Sequence, residues 1–248
     1  MQCPYCESTE IRKNGKRRGK QNHICVQCGR QFIDVYSPPK GYSDEVKQEC
    51  LKAYVNGMGL RAIERNKGVH HTTIIYWLKQ IGEQLPDAPP MTDIPSVGEL
   101  DELETFVGSK KTIWLWTAVN HFCEGILAWV LGDHSAETFK PLWEIVCCWQ
   151  CYFYVTDGWK VYASFIEAGD HIVSQRVAGV PPVVATGEPE RVSKTYMTRV
   201  EGENTRLRHY LARLHRKTLC YSKSVDMLKY SIRLLLHYLK YREIPVFG

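Results

Sequence analysis

No apolar run in the chain reaches the roughly 18–20 residues needed to span a bilayer, so no membrane helix is expected. Met1 is followed at once by Q-C-P-Y-C rather than by a basic and then apolar run, so no export leader is expected either. Ten cysteines in an unexported chain argue against a disulfide framework and for thiols kept reduced. A cytoplasmic location follows, on the nucleoid if the protein binds DNA, with no membrane partner. Internal repeats are absent, which sets solenoids and propellers aside. Charge is not extreme: a net +5 would not by itself indicate nucleic acid.

What is present is unevenly spread. Residues 1–41 hold eight Lys or Arg against three acids and end at a Pro38-Pro39 pair. Residues 42–85 read as short helices, residues 86–96 as a linker (P-D-A-P-P-M-T-D-I-P at its heart), and residues 97–248 as the main domain. Within it, Ile113, Leu115, Thr117 and Val119 alternate with Trp114, Trp116 and Ala118, the pattern of a strand buried on both faces. Further strands are predicted from Gly125 to Leu131, from Tyr152 to Thr156 and, with a less regular alternation, around Asp101. Ser135 is placed to cap a helix with Phe139, Leu142, Trp143 and Val146 on its apolar face. The last helix carries Val225, Leu228, Ile232, Leu235, Leu236 and Leu239. The fold class is therefore mixed α/β.

Cys3 and Cys6 form one C-x-x-C pair and Cys25 and Cys28 another, separated by 18 residues, which suits four thiolates around a structural Zn2+ in a ribbon. So small a module needs the metal for its stability. Cys148 and Cys151 have no partner pair, and with Cys50, Cys123 and Cys220 are expected to be buried thiols. The run from Leu60, a turn at Gly68 and a second helix from about His70 match helix-turn-helix spacing. That would set His70, His71, Thr72, Thr73 and Tyr76 at base edges, with Arg61 and Arg65 nearer the backbone.

From Arg199 to Lys223 the chain carries seven Lys or Arg and two His against only Glu201 and Glu203. Val200, Leu207, Leu211 and Leu214 recur at helical spacing, and Arg208 falls only about 20° around such a helix from Glu201, with Asn204 between them. A carboxylate on a cationic surface conflicts with phosphate binding unless it holds a metal ion that the phosphate shares. Asp157, closing an apolar strand before Gly158, and Asp101, in L-D-E-L, are further candidate acids.

Three segments, L-D-E-L-E-T-F-V-G-S-K, T-D-G-W-K-V-Y and R-V-E-G-E-N-T-R-L-R-H-Y-L-A-R-L-H-R-K-T-L-C-Y-S-K-S, resemble the insertion-sequence-one family of bacterial DDE transposases. The resemblance implies a zinc finger, a helix-turn-helix and an RNase H-like catalytic domain. In that domain Asp101, Asp157 and Glu201 bind two Mg2+ ions, with Mn2+ as a substitute, and Arg208 contacts the DNA backbone. Arg213, Arg216 and Lys217 belong to the same DNA-holding surface. It further implies that the protein binds the terminal inverted repeats of its element, cuts 3′ ends and joins them to target DNA, as a dimer or larger assembly. Glu99, Glu102 and Glu203 are rival acids that the motif does not select. Gly202 stands where the family usually has Arg or Lys, and residues 178–197 read as a long loop. Two other functions fit the same modules: a catalytically silent DNA-binding regulator, and a nuclease that only hydrolyses DNA.

Overall fold

The computed structural model describes residues 1–17, 19–33, 41–108, 111–175, 190–193, 197–215 and 218–245, with backbone alone at 175 and 190–193. It forms two compact units, Met1–Ser43 and Asp44–Gly248. The first is a three-stranded antiparallel sheet of β1 (Ile11–Arg17), β2 (Lys20–Cys25) and β3 (Gln31–Ile33). Its buried apolar cluster is Cys3, Cys25 and Phe32, with Ile11 packed against it. So few side chains cannot offset the ordering entropy of some forty residues.

The second unit opens with α1 (Asp44–Val55), α2 (Leu60–Lys67) and α3 (His71–Gln84). A six-stranded sheet follows, built from β4 (Val97–Val107), β5 (Lys111–Asn120), β6 (Ile126–Gly132), β7 (Phe153–Thr156), β8 (His171–Gln175) and β9 (Glu190–Ser193). The spatial order is β6-β5-β4-β7-β8-β9: an antiparallel meander, then three strands parallel to β4. The strand expected around Asp101 is thus the centre of the sheet. Strand β9 lies inside the stretch expected to be a loop; residues 178–189 and 194–196 of that stretch lie outside the described residues.

Alternation along β5 sends Ile113, Leu115 and Val119 into one core and Trp116 and Ala118 into another, as expected of a strand buried on both faces. The second core is closed by α4 (Ala136–Val146), whose N-cap Ser135 Oγ accepts from the Thr138 N–H at 3.3 Å. The first is closed by α5 (Thr198–Tyr210), α6 (Val225–Tyr241) and α1–α3. Helix α6 buries Leu228, Ile232, Leu234, Leu235 and Leu236 inside the unit. At about 1.5–3 kcal/mol for each such side chain, core packing takes most of its apolar stripe, with Leu239 half-buried and Val225 exposed. Gly82 lets α3 approach α6 closely, because a Cβ there would stand 2.4 Å from that of Tyr230. The segment before β4 is held to the same unit by Asp87, which meets Arg233 at 2.8 Å and whose carbonyl accepts from Trp129 Nε1 at 2.6 Å.

The helix expected to run through Leu214 ends at Tyr210, and Ala212–Leu214 form a 3-10 turn. A continued helix would carry Arg213 about 140° away from Val200, towards solvent. The turn instead buries it, with Nη1 donating to Ser222 Oγ at 2.5 Å and the guanidinium 5.1 Å over the Tyr54 ring.

Candidate active site

In the N-terminal unit the four thiols converge as the spacing suggested. Cys3 and Cys28 Sγ are 3.6 Å apart, as are Cys6 and Cys25 Sγ. A tetrahedron with Zn–S bonds of about 2.3 Å requires S···S near 3.8 Å, so the donors fit zinc. Both knuckles share one geometry: the residue after each second cysteine has positive φ (Glu7 59°, Gly29 69°), and its N–H returns to the first cysteine's carbonyl. The Cys28 backbone N–H, with that of Gln27 and the neighbouring thiols, pulls Cys25 down, while burial and the neighbouring thiols push its partner Cys6 up, so the first proton leaves the group at Cys25. Cys50 and Cys151 are buried as expected, but Cys123, Cys148 and Cys220 are exposed, a correction: they lie at turns and element ends, not on apolar stripes.

Helix α2 closes on Gly68, in the left-handed conformation at φ 69°, and the chain turns into α3. His70 caps α3, accepting from the Thr72 N–H. Ile74, Trp77, Leu78 and Ile81 face the core, which leaves Thr72 and Tyr76 on the exposed side. His70 is exposed, His71 and Thr73 half-buried, and Arg61 and Arg65 exposed on α2.

Asp101 lies on β4, Asp157 just past the end of β7, and Glu201 on α5. Strand β4 pairs in parallel with β7, with Glu99 opposite Val155. The paired register stops there, two residues before Asp101 and Asp157, and Asp157, just past the end of β7, is near enough for its charge to act on Asp101. Helix α5 lies along β4 in the same sense: Val200 N–H meets Glu99, Asn204 meets Asp101, and Arg208 Nη2 donates to the Glu104 carbonyl at 3.4 Å. Glu201, half-buried, and Arg208 therefore ride the β4 edge of α5, one on each side of Asn204. Asp157 is exposed at the mouth of a tight turn in which its Oδ1 accepts from the Trp159 N–H at 2.9 Å. Gly158 shapes that turn: its φ is +82°, and a Cβ would lie 2.4 Å from Val173 Cγ1.

Burial, then the Glu102 charge and, more weakly, that of Asp157, push Asp101 up to about 7 against the pull of the Asn204 amide. Burial thus favours the protonated carboxyl, and a cation taken there would have to displace that proton. The three acids are not drawn into one cluster with all donor atoms within 4.8 Å, as the four cysteines are. A pair of ions about 3.5–4 Å apart does not require that, since its terminal ligands stand roughly 6–8 Å apart. Hard oxygen donors of this kind suit Mg2+ or Mn2+.

Each rival acid is engaged elsewhere. Glu99, fully buried, accepts from the Val200 N–H at 2.8 Å and meets His121 Nδ1 at 2.5 Å. It supplies from the sheet the cap that Met197 cannot give α5. Glu102 points to the opposite face, where it accepts from Tyr162 Oη at 2.5 Å and meets His134 Nε2 at 3.1 Å. The His134 ring stacks on Trp159 with centroids 3.7 Å apart, which ties the Asp157 turn to β4. Glu203, buried on α5, accepts from the Gly125 N–H and pairs with Arg206 at 3.2 Å. Asn204 is the residue whose role sequence reasoning missed. Its Nδ2 donates to Asp101 Oδ2 at 2.8 Å, and Thr117 Oγ1 lies 3.1 Å from its Oδ1. Its place midway between Glu201 and Arg208 was the available signal.

A cavity of about 230 Å³ lies on the other edge of α5, beside Glu203, Arg206 and Lys240. Of the three acids only Asp157 is exposed, while Asp101 and Glu201 are half-buried.

Residues 96–179 and 185–242, more than half of the chain, match the family described as IS1 transposase. The chain belongs to that family. It is 30% identical over 139 residues to the Insertion element IS1 9 protein InsB of Escherichia coli strain K12, covering 56% of this chain and 72% of the relative. The Insertion element IS1 protein InsB of Haemophilus ducreyi matches to the same extent. The IS1 transposase match spans β4 to α6 and so includes Asp101, Asp157, Glu201 and Arg208; the cysteine unit and α1–α3 precede it. Of the basic residues expected to hold DNA, Arg213 is turned inward, a correction, and Arg216 and Lys217 lie outside the described residues.

Proposed function

We propose that this IS1 transposase family member binds the terminal inverted repeats of its own element, cuts their 3′ ends and joins them to target DNA. The observation that supports the proposal is the parallel pairing of β4, which carries Asp101, with β7, which ends just before Asp157, together with helix α5, bearing Glu201 and Arg208, laid along β4. A central β4 flanked by antiparallel β5 and parallel β7 supports an RNase H-like catalytic domain over residues 97–248. Residues 1–41 are a zinc ribbon and residues 42–85 a helix-turn-helix that docks the DNA ends, with residues 86–96 as the connection. Asp101, Asp157 and Glu201 are the ligands of two Mg2+ ions, for which Mn2+ substitutes.

Bound there, the ions supply water activation and charge stabilisation at the leaving oxygen. The chain's own residues do the rest. Asn204 orients the Asp101 carboxylate, and the Asp157–Trp159 turn aims Asp157 out of the sheet. Arg208 presents its guanidinium on the Glu201 edge, where a scissile phosphate would sit. Joining two ends requires at least two protomers, so the active form is a dimer or larger, acting in the cytoplasm on nucleoid DNA.

The test is strand transfer with purified protein, Mg2+ and duplex DNA bearing the element's ends. Cleaved and joined products are expected with the wild type, and only bound, uncut DNA with Asp157→Asn. A wild type that binds the ends without ever cutting them would favour the silent regulator.

A further inference from the structure

We propose a second metal site, outside the ribbon and the acidic site, formed by Glu64, His70 and His71 at the corner between α2 and α3, selective for a transition ion such as Zn2+. Glu64 stands on α2 one turn before the Gly68 cap, and the reversal brings the first residues of α3 back over it. Its Oε2 is 2.7 Å from His71 Nδ1 and its Oε1 is 3.6 Å from His70 Nε2. One donor atom from each residue lies within 4.8 Å of the other two. Around a tetrahedral ion with bonds of about 2.0–2.1 Å, neighbouring donors stand about 3.3 Å apart. The separations of the two Glu64 oxygens from the imidazoles straddle that value.

A second observation is independent of those distances. The other nitrogen of His70, Nδ1, lies 2.7 Å from Thr72 Oγ1 and accepts from the Thr72 N–H at 3.4 Å, so an ion taken at Nε2 moves the ring proton to Nδ1, which then donates to Oγ1 in place of the cap. Metal-binding imidazoles are oriented in this way, one ring nitrogen to the ion and the other to a polar neighbour. Lys67, three residues from both Glu64 and His70, is drawn off to Glu49 at 2.7 Å, and Arg65, next to Glu64, is exposed to solvent. Two imidazoles and one carboxylate suit Zn2+, Co2+, Ni2+ or Cu2+ and disfavour Mg2+. His70 is exposed, so a fourth position stays open to solvent. The ion displaces the proton shared by His71 and Glu64 and fastens α2 to the start of α3. Thr72, Thr73 and Tyr76 then remain to face a ligand, while His70 and His71 are engaged.

The experiment counts metal on the full-length protein and does not depend on DNA binding or cleavage. Titration with Co2+ after the thiolate site is filled should show a further equivalent with the intense visible d–d bands of a tetrahedral ion and no added sulfur-to-metal charge transfer. His71→Ala and Glu64→Gln should each weaken that equivalent at least tenfold while leaving the circular dichroism unchanged; His70→Ala should do so as a third check. Cys25→Ser should leave it in place, which separates it from the ribbon. Absence of a further equivalent, its persistence in all three variants, or thiolate charge transfer accompanying it would each overturn the proposal.

Discussion

Removing the Glu99 carboxylate should loosen α5 from its N-terminal end and carry Glu201 with it. In Glu99→Ala the Val200 and Arg199 N–H groups lose a buried acceptor, and His121 loses its partner. A lost cap costs about 1 kcal/mol, and the charge at the helix start contributes about as much again. The bond to His121 contributes about 1.5–3 kcal/mol, and relief of a buried carboxylate offsets part of the total. A net loss of about 3 kcal/mol results, or roughly 6–12 °C in Tm for a unit of this size. Glu99→Gln retains an acceptor for the helix and should lose only about 1 kcal/mol. Urea unfolding at fixed pH, followed by circular dichroism, measures both. Activity of Glu99→Ala, assayed well below its Tm, should fall further than that of Glu99→Gln, because the helix start is displaced and not merely less stable. If both variants unfold within about 0.5 kcal/mol of wild type, a cap of this magnitude is not what holds α5.

Other changes have outcomes as definite. Gly158→Ala meets both the φ of +82° and Val173 and should cost about 3 kcal/mol, abolishing cleavage even where the protein stays folded. Gly202→Ala places its Cβ in open space on an exposed helical position and should raise stability by about 0.5–1 kcal/mol in urea unfolding. Burial of His171, with Nε2 on Thr156 Oγ1 at 2.7 Å, lowers its pKa from 6.5, so the folded chain binds fewer protons than the unfolded one. Stability should therefore be lost as pH falls from about 6.5 through the folded value, by at most about 1.4 kcal/mol per pH unit, and His171→Gln should flatten that slope.

The elements that could be read from sequence are those whose packing writes a period into the chain. Two-sided burial made β5 a continuous apolar run, and α4 and α6 combine serine caps with apolar stripes. The thiol framework was legible because each knuckle is local. Strand β8, H-I-V-S-Q, was missed: His171 and Ser174 are buried yet polar, so the segment carries no apolar pattern. Strand β9 is short and sits among residues that read as a loop. Arg213 was misplaced because the shift from α-helix to 3-10 turn is decided by its contacts with Ser222 and Tyr54, which no helical wheel contains. The capping role of Glu99 joins residues 101 positions apart, and motif spacing alone separated it from Asp101. The parallel pairing of β4 with β7, which sets Glu99 opposite Val155, is likewise invisible until the sheet exists.

The most direct test of the central assignment is end cleavage by six single variants at saturating Mg2+, each checked for its fold. Asp101→Asn, Asp157→Asn and Glu201→Gln should each lower the cleavage rate by three or more orders of magnitude, as expected when a ligand of a phosphoryl-transfer metal is lost. Glu99→Gln, Glu102→Gln and Glu203→Gln should retain measurable cleavage wherever they remain folded. Cleavage at the wild-type rate by Asp157→Asn or Glu201→Gln, or its complete loss in folded Glu203→Gln alone, would contradict the site described.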